Sequence, residues 1–240
     1  MNTTNRVISM EETVQTRAAI RRRMAQVVGS LLFQAATLFA AAGRVDWRAA
    51  WAYIGASVGI VAVNAVAILP RNPELIAERG RPEASKGWDR VLTALLALIG
   101  LTTPVAAGLE ARSCWSRKAS PAVQFFGFAS MVLGYGLVSW AMASNRFFST
   151  AVRIQKERGH EVVSGGPYRH VRHPGYSGII SSTLGTPLLL GSRWALIPAG
   201  LTAALYVVRT VLEDRTLQNE LDGYREYADR VRYRLIPGVW

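Results

Sequence analysis

The sequence predicts an all-α, polytopic integral membrane protein with about six transmembrane helices, the last two forming a helical hairpin, and a cytosolic C-terminal tail. Three observations carry this reading. Half of the 240 residues are hydrophobic, six runs without an Asp, Glu, Lys, Arg or His take up about half the chain, and the 28 Lys and Arg are spread unevenly between the segments that separate those runs. The apolar content excludes a disordered chain, and a single cysteine excludes an internal disulfide framework.

The runs cover residues 24–43, 49–70, 91–109, 119–145, 174–192 and 194–208. A hydrocarbon core about 30 Å thick needs roughly 20 apolar residues as helix, which the first five supply without the alternation of a strand. The sixth is short. Pro198 near one end and Arg209 at the other mark it as the returning arm of a hairpin, with Arg209 able to snorkel. The polar residues 1–23, in which Arg21, Arg22 and Arg23 abut a long run, read as a retained anchor rather than a cleaved signal peptide. The segment 70–90 alternates charges in Pro73-Glu-Leu-Ile-Ala-Glu-Arg79 and predicts a short amphipathic helix on the membrane surface. Cys114 falls in a predicted outer loop with no His or second Cys to match it, and receives no role.

Placing the N-terminus inside puts 22 of the 28 basic residues in inner segments, so both termini are expected in the cytoplasm. The net charge of +12 is then a topology signal and an affinity for anionic membrane lipids. No aromatic-interleaved basic patch supports nucleic-acid binding.

Residues 1–143 contain little that suggests chemistry, whereas polar, glycine and aromatic residues thicken from Asn145 onward, where all three His lie. Gly165-Gly166-Pro167 signals a turn. His173 is pushed from helical angles by Pro174, which suits the first position of the next helix. A helix N-terminus there would favour a carboxylate or phosphate, and the plain alternative is a basic collar at the membrane edge. His160, His170 and His173 could be metal ligands, but Pro174 breaks the helical spacing that would make them converge and no Cys or Asp cluster completes a set, so no metal is assigned. Further on, Arg209 and Glu213 share one helical face at the inner boundary. They are either a surface ion pair or a ligand path in which Arg offers a fork and Glu an acceptor. The segment 223–237 reads as an amphipathic tail able to fold back over this region.

Gly166-Pro-Tyr168-x-x-x-Arg172-His-Pro-x-Tyr176-x-Gly178, then Arg209-x-x-x-Glu213-Asp214, then Gly223-Tyr-x-Glu-Tyr227-x-x-Arg230-Val resembles the isoprenylcysteine carboxyl methyltransferase family and, more distantly, the phospholipid N-methyltransferases. The resemblance spans about the last 100 residues and reaches the first four spans only through hydropathy. It implies methyl transfer from S-adenosylmethionine at the cytosolic membrane face to a lipophilic acceptor, a carboxylate first. On this resemblance Gln155, His160, Glu161, Val162, Val163, Tyr168, His173, Pro174, Gly175, Tyr176 and Glu213 would contact the cofactor, with Arg209 facing the acceptor and Arg209 and Glu213 forming the catalytic pair. The chain then divides into a cytosolic segment 1–23, a four-span bundle 24–143, and a region 144–240 holding the cofactor-binding loop, the hairpin and a catalytic tail. The Ala- and Arg-rich composition points to a bacterial inner membrane. Alternative readings are a phospholipid amine or thiol methyltransferase, a nicotinamide-dependent sterol-type reductase, and a non-enzymatic membrane scaffold; cofactor binding separates methyltransferase, reductase and scaffold, as S-adenosylmethionine, reduced nicotinamide or neither. The resemblance implies extra N-terminal spans in eukaryotic members, a departure in size that bears on the lipid-binding half of the site.

Overall fold

A computed structural model describes residues 3–79, 85–113 and 119–240, with side chains from residue 14 onward; Cys114 lies outside the described residues. The described residues form helices and turns without a strand: α1 (Thr3–Ala42), α2 (Arg48–Ala67), α3 (Pro73–Glu78), α4 (Gly87–Arg112), α5 (Pro121–Ser144), α6 (Pro174–Leu190), α7 (Leu196–Glu220) and α8 (Tyr224–Arg230). In α1, α2, α4, α5 and α7 the apolar stretch is long enough to cross a membrane. Leu32, Val66, Phe125, Phe126 and Leu133 are each more than 60% exposed, an arrangement that water would penalise and lipid does not. The chain is an integral membrane protein.

Sequence punctuation sets the helix ends. Pro121 occupies the first turn of α5 while the Ser120 hydroxyl accepts from Val123 N–H, and Asn72 caps α3 in the same way by accepting from Leu75 N–H. At the far end of the hairpin the Glu110 carboxylate of α4 accepts from the Ser192 hydroxyl and from Trp194 N–H, holding the turn that joins α6 to α7.

Two helices differ from the sequence expectation. The sixth run does not stop at residue 208, because nothing in 209–220 breaks a helix; α7 continues to Glu220 and carries Arg209, Glu213 and Asp214 beyond the apolar stretch. Its partner α6 is the shorter arm, with 17 residues and a rise of about 26 Å. The helix expected in 70–90 forms as α3, but instead of lying free on the membrane surface it buries Leu75, Ala77 and Glu78 against the protein. Leu75 joins Ile68 and Met142 in one apolar cluster, and Glu78 pairs with Arg153 of the loop that follows α5.

The tightest packing joins α5 to α6. A Cβ added at Gly134 would lie 2.5 Å from Gly178 O, and one at Gly127 would lie 2.7 Å from Gly185 O, so the two backbones touch at two levels seven residues apart. Ser182 Oγ donates to Met131 O and Ser130 Oγ to Ser181 O between them. Small residues and hydroxyl bonds of this kind hold helices together where lipid removes the hydrophobic drive. The contact fixes α6, and with it the start of α6 at which the polar residues gather.

Gly134→Ala should lower the thermal midpoint in detergent, with a loss of about 1–3 kcal/mol from forced separation of α5 and α6. Gly136→Ala, on the same helix but with nothing within 4 Å of the added carbon, should leave stability unchanged or higher. Equal behaviour of the two variants would contradict the close contact.

Candidate functional site

Between α5 and α6 the chain runs through an irregular segment, residues 145–173, that closes over the end of α7. Its turns are locally encoded. Gly166 sits at φ +58° and a Cβ there would collide with the Ser144 hydroxyl at 2.3 Å, so the turn after residue 165 needs glycine for both conformation and space. Buried Gln155 donates from Nε2 to Phe147 O at 2.7 Å, and its N–H is accepted by His160 Nδ1 at 3.2 Å. The His160 ring packs on Phe147 with centroids 4.6 Å apart. Burial, helped by the charges of Arg153 and Arg158, pushes His160 down to about 4, so it is neutral at physiological pH. His173 has φ −125° and ψ 60°, and Pro174 opens α6, as the Pro signal requires.

The C-terminal residues close the other side. Arg172 N–H donates to Tyr233 O and His173 N–H to Arg234 O, both at 2.9 Å, while the Tyr227 hydroxyl donates to Tyr168 O at 2.7 Å. The tail therefore folds back, as its amphipathic pattern predicts. At the centre stands Asp214 of α7, wholly buried. Arg172 grips it bidentately, Nε to Oδ1 at 2.8 Å and Nη2 to Oδ2 at 3.0 Å, and the remaining Arg172 nitrogen donates to the carbonyls of Val231 and Arg232. Arg234 Nε, Gln218 Nε2 and the Tyr224 hydroxyl also donate to this carboxylate, and His173 Nε2 lies 3.2 Å from Oδ1. Burial pushes the Tyr168, Tyr224 and Tyr227 phenols up, so they stay neutral; Tyr224 and Tyr227 donate, while the Tyr168 hydroxyl accepts from Asn145 Nδ2 at 3.2 Å.

These elements enclose a partly open cavity of about 120 Å³. Gln155, His160, Glu161, Val162, Val163, Tyr168, His173, Gly175, Tyr176, Arg209 and Glu213 all line it. Pro174 does not: it is buried at the start of α6 and acts through the backbone it sets. The three His residues do not converge, since His170 is exposed while the other two face the cavity. Among the described residues no group of three potential metal ligands forms.

The polar pair on α7 is arranged differently from a surface ion pair. Arg209 is 7% exposed, and its partner is not Glu213 but Asp89 of α4, with Nη2 2.8 Å from Oδ1; the same nitrogen donates to Thr150 O at 2.7 Å. Glu213 instead accepts a hydrogen bond from the Tyr176 hydroxyl, and the Arg209 guanidinium lies 5.7 Å from the Tyr176 ring centroid. Asp89, Phe147, Thr216 and Leu221 were not singled out in the sequence, although Phe147, Thr216 and Leu221 line the cavity; Tyr224, quoted in the 223–231 motif without a site role, lines it too. Asp89 had one signal: a carboxylate two residues before a 19-residue apolar run, where charge is costly.

Residues 123–222 match the family model described as phospholipid methyltransferase. The chain is also similar to a probable protein-S-isoprenylcysteine O-methyltransferase of Oryza sativa subsp. indica, 27% identical over 112 residues that make up 45% of this chain and 59% of the relative. It is 28% identical over 109 residues to protein-S-isoprenylcysteine O-methyltransferase B of Arabidopsis thaliana, covering 44% of this chain and 55% of that one. With the protein-S-isoprenylcysteine O-methyltransferase of Schizosaccharomyces pombe it shares 32% over 104 residues, 42% and 44% of the two chains. The chain spans about half the length of the curated relatives it matches. The methyltransferase resemblance carried by the motifs is therefore found independently, and the matched span contains α6, α7 and the loop over the cavity. Asp89, Tyr224, Tyr227 and Arg234 lie outside it.

Two outcomes follow from the site's electrostatics. The His160 imidazole should titrate by NMR with a midpoint near 4, and, because its folded value lies below the ordinary 6.5, its contribution to stability is complete above about 6.5 and is lost as pH falls towards 4. A midpoint at or above 6.5 would contradict the buried geometry. Asp214→Asn leaves the Arg172 and Arg234 guanidinium groups without their carboxylate and should cost on the order of 3–5 kcal/mol in unfolding measured in detergent.

Proposed function

We propose that this protein is an S-adenosylmethionine-dependent integral membrane methyltransferase acting on a lipophilic carboxylate, with isoprenylcysteine-type acceptors as the model class. The observation that carries the reading is the convergence of Tyr168, His173, Tyr176, Arg209 and Glu213 on one cavity beside the end of the helical bundle. The donor set fits a cationic cofactor: phenolic rings offer π faces to a sulfonium, and Glu213 offers a carboxylate to an amino group or ribose hydroxyls.

S-adenosylmethionine, when bound, supplies a methyl group on a positively charged sulfur. The protein's part is to hold, orient and keep dry. Tyr168 and Tyr176 would offer ring faces to the sulfonium or adenine, Glu213, its carboxylate oriented by the Tyr176 hydroxyl, would hold polar groups of the cofactor, and Gln155 with His160 to Val163 would supply further wall of the cavity. Pro174 and Gly175 shape the edge at the start of α6. His173 is kept in one orientation by Asp214. Arg209 receives the acceptor carboxylate, which is already ionised at neutral pH and needs no base. Alignment and exclusion of water under the folded-back tail provide the acceleration, with no covalent enzyme intermediate. The inner-segment excess of Lys and Arg supports a site facing the cytoplasm of a bacterium from its inner membrane, with both termini on that side. The match to a phospholipid methyltransferase family model favours one second reading, an amine acceptor.

Calorimetry and methyl-transfer assays on the detergent-purified protein test this. Glu213→Ala should weaken S-adenosylmethionine binding at least about tenfold. Arg209→Ala should leave that affinity nearly intact and lower kcat/KM for a lipophilic carboxylate by about 2–5 kcal/mol, as expected for loss of a desolvated charge contact. Full activity in Arg209→Ala, or better activity on amines, would move the assignment to the amine reading; unchanged cofactor affinity in Glu213→Ala would reject the pocket.

A further inference from the structure

Asp89 stands outside the matched span and outside every motif, yet it is 1% exposed and touches both the cavity wall and the cavity's cation. Its Oδ2 accepts from Val152 N–H at 2.8 Å and its Oδ1 lies 2.8 Å from Arg209 Nη2. It sits in the first turn of α4, where the helix N-terminus offsets part of the cost of burying a carboxylate. Arg209 is held further by Thr150 O, and Glu213, one turn along, is engaged by the Tyr176 hydroxyl. Arg209 Nε is buried with no hydrogen-bond partner among the described residues, on a side chain that lines the cavity.

We infer that Asp89 is a positioning residue that tempers Arg209: it holds the guanidinium by Nη2, leaves Nε to meet an ionised lipophilic carboxylate, and offsets enough charge that the acceptor is not held more tightly before reaction than during it. The inference rests on the carboxylate reading above. In that reaction a lone pair on the carboxylate oxygen forms the new O–CH3 bond while the methyl–sulfur bond breaks and its electrons stay on sulfur; no proton moves. The acceptor begins with one negative charge and ends as a neutral ester. Attraction to a buried cation is therefore greatest before transfer and declines along it, and an uncompensated Arg209 would stabilise the ground state more than the transition state. A counter-charge 2.8 Å from the guanidinium reduces that imbalance.

Asp89→Asn keeps a side-chain oxygen for Val152 N–H and removes the charge, while Thr150 O still holds Arg209. Calorimetry on the whole protein in detergent, without cofactor, should show binding of an S-prenylated N-acetylcysteine tightened about tenfold and binding of its carboxamide counterpart unchanged. With labelled S-adenosylmethionine, KM for the carboxylate and kcat should both fall, a split that mere loosening of the fold does not produce. Asp89→Glu, which keeps the charge, should retain the parent's discrimination between the two probes. Carboxylate binding that is unchanged or weaker in Asp89→Asn, an equal change for both probes, or a Glu variant that behaves like the Asn variant overturns the assignment. A parent protein that binds S-adenosylmethionine but neither binds nor methylates the carboxylate probe rejects the carboxylate reading itself, and this inference with it.

Discussion

The structure around the cavity depends on one buried carboxylate. Asp214 is wholly buried, and a charge in that position is tolerated only because donors from every neighbouring element reach it: Arg172 and His173 from the loop before α6, Gln218 from its own helix, Tyr224 from α8 and Arg234 from the tail. Removing water from so many polar groups is costly, and the cost is met only by the complete set. That mutual requirement makes the loop, the end of α7 and the tail one unit, and it gives His173 and the start of α6 a single position at the edge of the cavity.

A second constraint comes from the membrane. With lipid on the outside there is no hydrophobic drive between helices, so α6 is seated by backbone contact across Gly134, Gly178, Gly127 and Gly185 rather than by large side chains. Rigid placement of α6 carries Tyr176 to Glu213 and beneath Arg209. The cavity is thus built from a tightly packed helix pair on one side and a polar hub on the other, with the irregular segment 145–173 between them. Glu78 and Asp89, from two elements of the first half of the chain, pin that segment through Arg153 and Val152.

The division of the chain into a silent first half and a chemical second half therefore holds for the motifs but not for the electrostatics. The 123–222 span contains the groups facing the cavity that the methyltransferase reading uses, whereas the counter-charges and the closing tail come from either side of it. A module of this kind cannot be read from its matched residues alone, since Arg209 with Asp89 beside it is chemically different from Arg209 without it.

Sequence by itself determined the class of the fold, the runs that become membrane helices, the start of α6 at Pro174 and the return of the tail, and its motifs, through their family resemblance, pointed to many but not all of the residues that meet around the cavity. Each of these follows from local causes: hydropathy over a helix length, the conformational limits of Pro and Gly, and the spacing of motifs along the chain. Tertiary structure alone decided which charges pair. Arg209 and Glu213 are helical neighbours in sequence, yet one turns to Asp89, 120 positions earlier, and the other to Tyr176. Asp214 passes in sequence for a second acidic residue beside Glu213 and in space is the hub of three elements. Pairing is decided by which groups lose their water together, and that depends on distances across the packed helices, which no local pattern in the chain encodes.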